Sequence, residues 1–518
     1  MGRLFNPRQP QASSAIPVLP QEIVNLVIDE VASSLQSSTE PRRAALSTLK
    51  ACTLVSHSFR QQARKHLFSQ VHVRIDKHGH QHNGRIQSLG MAESDGVVHF
   101  FRTLIFTVDL PFRKKSFVNL PFSGTGAIKP KTSRWSVLRF VDVFRLRGTD
   151  AANTIAALNT ACLHTLEIVG RQSFYVWDCN GKIGHGLGDI CAKETLRSLR
   201  ISKVVALPSS ILKDAIQSTH LYNLTLSQIS IANIQSDHPD SSYGQGTSSG
   251  RVSHLGQLEA TGFSCSALLN ILKCDGHAST PRYVTFPYLR KLAISVPTLP
   301  SEMDELWSFL QHISQTLECL ELQQYKWSSA YKVSRSSADF FHELIFFISA
   351  VYDALSQGSF RLSDLSSLCS LKICTTSFDI GKNFCTKQEM IAKLLGSDTA
   401  ANTLTSVIVD IYVHRSVKHI RRDSNLTWRD LGPLSGWEAI DTALFTSAFP
   451  NLKEFIFNLK LFYYIKDTDS SSPQSRQTVN IPTKLLLPNI TSLLSNSVKL
   501  YLDVLCSHRP FLDHFNVL

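Results

Sequence analysis

The sequence predicts an α/β chain in which a short N-terminal helical module leads into an irregular array of strand-helix units on a curved parallel sheet. Three observations predict it. Apolar residues recur every three or four positions from residue 19 to 68, L-x-x-L-x-I/L/V strings recur from residue 163 onward, and the segments between those strings carry further helical periodicity. With 518 residues, 43% of them hydrophobic, the chain is too long for one ordinary compact domain and has ample material for a large core. Charged residues make up only 18%, which argues against disorder throughout.

A Pro/Ser/Gln-rich leader over 1–15 precedes the helical module, expected over 16–75. In IPVLPQEIVNLVIDEVASSL, Ile23, Val27 and Val31, with Ile28 beside them, share one side of an amphipathic helix. Pro20 suits the first turn, where a missing N–H costs nothing, and Glu22 and Glu30 keep other positions polar. The polar stretch SSLQSSTEPRR, with Pro41, is expected to end this helix and form an internal loop before the pattern resumes at Ala44. Leu46, Leu49 and Thr53 then share a helical face that Cys52, Leu54 and Val55 extend. Ser56 or Ser58 can cap a third helix, in which Phe59, Ala63 and Leu67 recur every four residues with Phe68 alongside.

Leu19-Pro20, Glu22-Ile23, Ile28, Val55-Ser56, Phe59-Arg60 and Leu67-Phe68 stand in the order of the F-box pattern, so residues 19–68 resemble the F-box family. The long polar insertion and the phenylalanine at 59, where tryptophan is commoner, depart from it; the insertion resembles F-box proteins of mushroom-forming fungi. The resemblance implies a substrate receptor of an SCF-type cullin-RING ubiquitin ligase, with a Skp-family adaptor bound by the F-box and cullin and RING subunits reached through it. It also implies that Leu19, Pro20, Glu22, Ile23, Ile28, Val55, Ser56, Phe59, Leu67 and Phe68 build the module or its adaptor-binding surface. Sequence does not separate those two roles.

After a linker over 76–97, the array is expected over 98–518. Its strings are Leu163-Leu166-Ile168, Leu196-Leu199-Ile201, Leu221-Leu224-Leu226, Leu255-Leu258-Ala260, Leu289-Leu292-Ile294 and Leu317-Leu320-Leu322, with steps of 33, 25, 34, 34 and 28 residues. Looser units follow at Leu368-Leu371-Ile373, Leu404-Val407-Val409 and Leu452-Phe455-Phe457. Each fits a short strand with one buried face, and Leu207 to Ser218 and Glu302 to Gln315 offer helices between them. One such unit cannot bury its apolar face alone, so stacking into an irregular leucine-rich-repeat solenoid is expected, with a protein target as partner. Polar stretches near 235–250 and 466–478 read as protruding loops.

Other chemistries find little support. The net charge of +12 favours anionic partners, but the densest basic clusters, Arg113-Lys114-Lys115 with Lys129, Lys131 and Arg134, and Arg415, Lys418, Arg421 and Arg422, are short; they read as solvated surface, and a nucleic-acid binder stays an alternative to the receptor, as does a repeat scaffold outside any ligase. The glycine-rich Lys182 to Asp189 lacks the Gly-Lys-Ser/Thr of a phosphate loop and reads as an ordinary loop. His78, His80 and His82 have no further metal ligand in view. No nucleophile elbow, HExxH pair or Cys/His arrangement is present, so no enzyme activity, cofactor or metal is expected. The eleven cysteines show no CxxC pair and read as reduced thiols, and the sequons at Asn223, Asn425 and Asn489 read as coincidental. The apolar Leu344 to Leu355 falls short of the roughly 20 residues a bilayer requires and reads as a buried helix. Without a signal segment, a cytoplasmic or nuclear location is expected.

Overall fold

The computed structural model describes residues 19–36, 39–75, 100–108, 162–170, 175–177, 182–232, 252–262, 264–273, 282–296, 300–324, 361–377, 391–392, 394–395, 403–417, 435–446, 449, 451–465, 475–479 and 498–507. The architecture is mixed α/β, with three N-terminal helices leading into a long sheet that is parallel but for one edge strand.

The three expected helices are α1 (Gln21–Ser33), α2 (Thr39–Val55) and α3 (His57–Leu67). Their shared core consists of Val24, Ile28, Ala32, Leu49 and Ala63, closed by the partly buried Val31, Leu35, Cys52, Phe59 and Leu67. Ser56, rather than Ser58, caps α3, its Oγ accepting from the Phe59 amide at 3.4 Å. The insertion between α1 and α2 is mostly helical, contrary to the expected loop: a 3-10 turn covers Ser34–Gln36, and α2 starts at Thr39 with Pro41 in its first turn. Pro41 is tolerated there because the first amides of a helix have no intrahelical acceptor.

The strands follow in chain order. They are β1 (Gln70–Ile75), β2 (Thr103–Val108), β3 (Thr165–Gly170), β4 (Tyr175–Val176), β5 (Ser198–Ser202), β6 (Val204–Val205), β7 (Leu207–Pro208), β8 (Asn223–Ser227) and β9 (Ile231–Ala232). Then come β10 (Gln257–Thr261), β11 (Lys291–Val296), β12 (Cys319–Gln324), β13 (Ser370–Ser377), β14 (Ser406–Val417), β15 (Glu454–Ile465), β16 (Ser475–Val479) and β17 (Val498–Ser507). Thirteen of them form one sheet in the order β1-β2-β3-β5-β8-β10-β11-β12-β13-β14-β15-β17-β16, while β4 pairs with β6 and β7 with β9. From β1 to β15 the strands of this sheet lie in chain order, β17 then follows β15, and all pairs in the sheet are parallel except β16 with β17.

In-register pairing turns the sequence strings into two apolar ladders. One runs Leu104, Leu166, Leu199, Leu224, Leu258, Leu292, Leu320, Leu371, Val407 and Phe455; the other, two residues on, runs Phe106, Ile168, Ile201, Leu226, Ala260, Ile294, Leu322, Ile373, Val409 and Phe457. Every residue of the nine strings read from the sequence is buried. Phe101-x-x-Leu104-x-Phe106, buried in the same way, is a further unit, with phenylalanine in place of the leading leucine. Parallel strands buried on one face and aligned in register pack every rung against its neighbours, which explains the tolerance for unequal steps between units.

A second regularity fixes that register. The carbonyl just before each strand accepts both amides opening the next: Arg102 O binds the His164 and Thr165 amides, Arg197 O those of Tyr222 and Asn223, and Gly256 O those of Arg290 and Lys291, all at 2.8–3.1 Å. The same clamp joins Ser69 O to the Arg102 and Thr103 amides, so the strand directly after α3 is tied into the sheet.

Further helices among the described residues are α4 (Lys182–Cys191), α5 (Ser209–Gln217), α6 (Ser264–Leu272), α7 (Pro300–His312) and α8 (Ser435–Thr446), and their apolar faces join the ladders in one continuous core. The expected helices at Leu207 to Ser218 and Glu302 to Gln315 are thus present as α5 and α7. Two expectations are corrected. The glycine-rich Lys182 to Asp189 is helix, not loop, because Ile183, Leu187, Ile190 and Cys191 share a face and are buried, outweighing the low helix propensity of three glycines. The end of the expected 466–478 loop is the antiparallel edge strand β16, paired to β17 from Ser475 to Val479. The 235–250 loop, Leu344 to Leu355, the three histidines and the first basic cluster lie outside the described residues, as do Lys418, Arg421, Arg422, Asn425 and Asn489.

Candidate functional site

Two surfaces carry functional potential, one on the helices and one on the polar face of the sheet. On α1, turning about 100° per residue, Val24, Ile28 and Ala32 form one apolar face, and Ile23, Leu26 and Val27 form another roughly 140° away. The first is buried. The second is exposed, Leu26 to 66%, and Leu19 just outside the helix is exposed with it. Of the side on which Ile23, Val27 and Val31 line up, only Val31 is partly buried against the module's core, which takes Val24 and Ile28 and leaves Ile23 and Val27 to solvent. At the far end of α2, Leu54 and Val55 are also exposed, Leu54 to 82%.

The structure distinguishes the buried members of this set from the exposed ones. Ile28, Phe59 and Leu67 build the helical core, and Ser56 caps α3. Phe68 packs instead against the core of the sheet and bridges the two parts. Leu19, Pro20, Glu22, Ile23 and Val55 are exposed and free to meet a partner. Leu26, which no sequence reading singled out, belongs with them; its signal was an apolar residue at the i+3 position from Ile23. Helices α1 and α3 are also joined by a polar lock, in which Asp29 Oδ1 accepts from Gln62 Nε2 at 2.6 Å and meets His66 Nε2 at 2.7 Å. His66 and then Gln62 hold the Asp29 carboxyl below its usual pKa.

On the sheet, residues alternating with the ladders form a polar face. Lys372 Nζ lies 3.0 Å from Glu321 Oε1 and 3.7 Å from Asp410 Oδ2, and Asn458 Nδ2 donates to Asp410 Oδ1 at 2.6 Å. Burial works against the Lys372 ammonium, but the Glu321 and Asp410 carboxylates outweigh it and hold its pKa above the ordinary value. Burial pushes the Cys374 thiol up, and the adjacent acids reinforce that, so it stays protonated. Further along, burial raises the Glu259 carboxyl, and Arg200 sits 3.6 Å from Glu167. The arrangement is a charge-paired surface on which strand register fixes acids beside the bases Arg200 and Lys372, suited to polar contacts with another chain. The buried Cys191 thiol on α4 is pushed up to about 12 by burial alone.

Among the described residues no group of three His, Cys, Asp or Glu is placed to hold a metal ion, and no helix is long and apolar enough to cross a membrane. Six cysteines among those residues are free thiols. No family model matches the chain, and no curated protein matches it in sequence.

Proposed function

We propose that the chain is an F-box-type substrate receptor, with α1–α3 docking a Skp-family adaptor and the strand array, a leucine-rich-repeat-like solenoid, holding a protein target. The observation that carries this reading is the exposure of Leu19, Ile23, Leu26, Val27, Leu54 and Val55 on a module whose shared core, among the described residues, is five buried side chains. So small a helical layer gains stability from a partner, and a clustered apolar face is the usual mark of a protein contact. Order and identity of the F-box residues name the partner as the adaptor, which brings cullin and RING subunits with it.

The array supports the second half of the reading. Strands in chain order, in-register ladders and the repeated carbonyl clamp are what stacked strand-helix units produce, and the polar face from Glu167 to Asn458 is left to bind a target. The contribution to ubiquitin transfer is proximity and orientation, with the bond-making groups on other subunits. Immobilised Skp-family adaptor should retain the purified full chain, and Leu26→Asp with Val27→Asp should abolish retention while thermal unfolding stays unchanged. No retention of the wild type, or equal retention of the variant, overturns the proposal. Retention of adaptor without cullin in a cell extract would favour a scaffold outside the ligase.

A further inference from the structure

The leading leucines of the units are flanked by two rows of residues at the strand-entry edge. One row runs Arg102, His164, Arg197, Tyr222, Gly256 and Arg290; the other holds His220, His254 and Tyr288. The carbonyl clamp sets successive residues of the first row one strand apart, about 4.8 Å. Neither row contains an acidic residue from Arg102 to Arg290.

Two aromatic platforms lie on this edge. A Cβ on Gly256 would stand 2.1–2.6 Å from the outer atoms of the Tyr222 ring, so that ring occupies the space left by the missing side chain. It remains 45% exposed, between Arg197 on one side and Arg290 on the other. Tyr288, 53% exposed, leans on His254 with ring centroids 5.3 Å apart. The cations are held along the row: Arg102 Nη1 donates to Cys162 O at 3.1 Å and Arg197 Nη1 to His220 O at 2.8 Å. Arg290 Nη1 meets Glu318 at 2.9 Å in an exposed pair that costs little to exchange. Partial burial, and then Arg102 and Arg197 on either side, depress the pKa of His164.

We propose that this edge binds single-stranded nucleic acid, its phosphates against Arg102, Arg197 and Arg290 and its bases on Tyr222 and Tyr288. Spacing and aromatic content select this polymer over a phosphorylated peptide. The arginines stand about 10 and 14 Å apart along a line, counted as two and three strand spacings. Each guanidinium leans one strand over, to Cys162 O, His220 O or Glu318, so the charged heads keep about that spacing and a chain of phosphates can engage all three. Exposed rings between cations are the stacking platforms that single strands use.

Fluorescence anisotropy of the full chain with labelled oligo(dT) and oligo(U) tests this. Binding should weaken with salt at a log-log slope of about −2, as three phosphate contacts on a single strand require. Arg102→Ala with Arg197→Ala and Arg290→Ala should lower affinity at least tenfold and flatten the slope. Tyr222→Leu with Tyr288→Leu should lower affinity roughly tenfold and leave the slope unchanged. Circular dichroism checks that both variants fold, and Tyr222→Phe, which keeps the ring, should bind as the wild type. The proposal is overturned by absent binding, by equal binding of heparin or duplex DNA insensitive to the tyrosines, or by tight binding of a phosphorylated peptide with none of either oligonucleotide.

Discussion

Lys372 Nζ bonds Glu321 Oε1 at 3.0 Å across strands whose register places the two residues directly opposite. Fifty-one residues separate them in sequence, so only the β12–β13 pairing brings them together. Asp410, 6% exposed, shares the same ammonium.

Lys372→Met should therefore destabilise the array by about 2 kcal/mol, less than a fully buried pair because the site is partly solvated, and Lys372→Arg should recover most of the loss. The pKa of Lys372 is raised in the folded chain, so its contribution is fully present below the unfolded value near 10.4 and disappears as pH rises through the folded one. Urea unfolding at neutral and at strongly alkaline pH reads both; a variant as stable as the wild type at neutral pH would contradict the ion cluster's role.

Gly188 sits inside α4, where a Cβ would lie 3.7 Å from Ile211 Cδ1, an ordinary contact. Gly188→Ala should stabilise the chain by about 0.5–1 kcal/mol through helix propensity and a smaller unfolded-state entropy. A raised thermal midpoint is the expected result, and a lowered one would mean that α4 needs closer approach to α5 than its backbone indicates.

The Asp29 lock should show a pH signature of the opposite sense. Its folded pKa is depressed, so the stabilisation is present above the unfolded value near 3.9 and is lost as pH falls through the folded one. Because the carboxylate is half exposed, Asp29→Ala should cost only about half a kcal/mol. The difference between wild type and variant should narrow progressively as pH falls below about 4 in acid-unfolding curves.

The two apolar faces of α1 should answer differently to truncation. Ile28→Ala removes a fully buried side chain and should cost about 2–5 kcal/mol, while Leu26→Ala should stay within about 0.5 kcal/mol. Thermal unfolding of the two variants, each set beside adaptor binding, distinguishes a core residue from a contact residue.

Much of the fold was legible in the chain because parallel strands with one buried face repeat a local pattern. Each L-x-x-L-x-I/L/V string carries its own register, so Leu163-Leu166-Ile168 and its successors identify the rungs without knowledge of their neighbours. The Phe101 unit escaped because phenylalanine took the leading position. Lys182 to Asp189 was misread since glycine content speaks against a helix, and the burial of Ile183 and Leu187 that outweighs it depends on the neighbouring units. On α1, periodicity revealed apolar residues on both sides without saying which side α3 would cover.

The sequence by itself determined the three N-terminal helices, the rungs from Leu163 onward and the helices α5 and α7, because each follows from periodicity within a few turns or strand residues. Tertiary structure decided which face of α1 stays exposed, how Tyr222 comes to rest over Gly256, and how Glu321, Lys372, Asp410 and Asn458 converge. Those relationships join residues tens of positions apart. They arise only when strands align in register and the burial of one set of apolar side chains leaves another set outside.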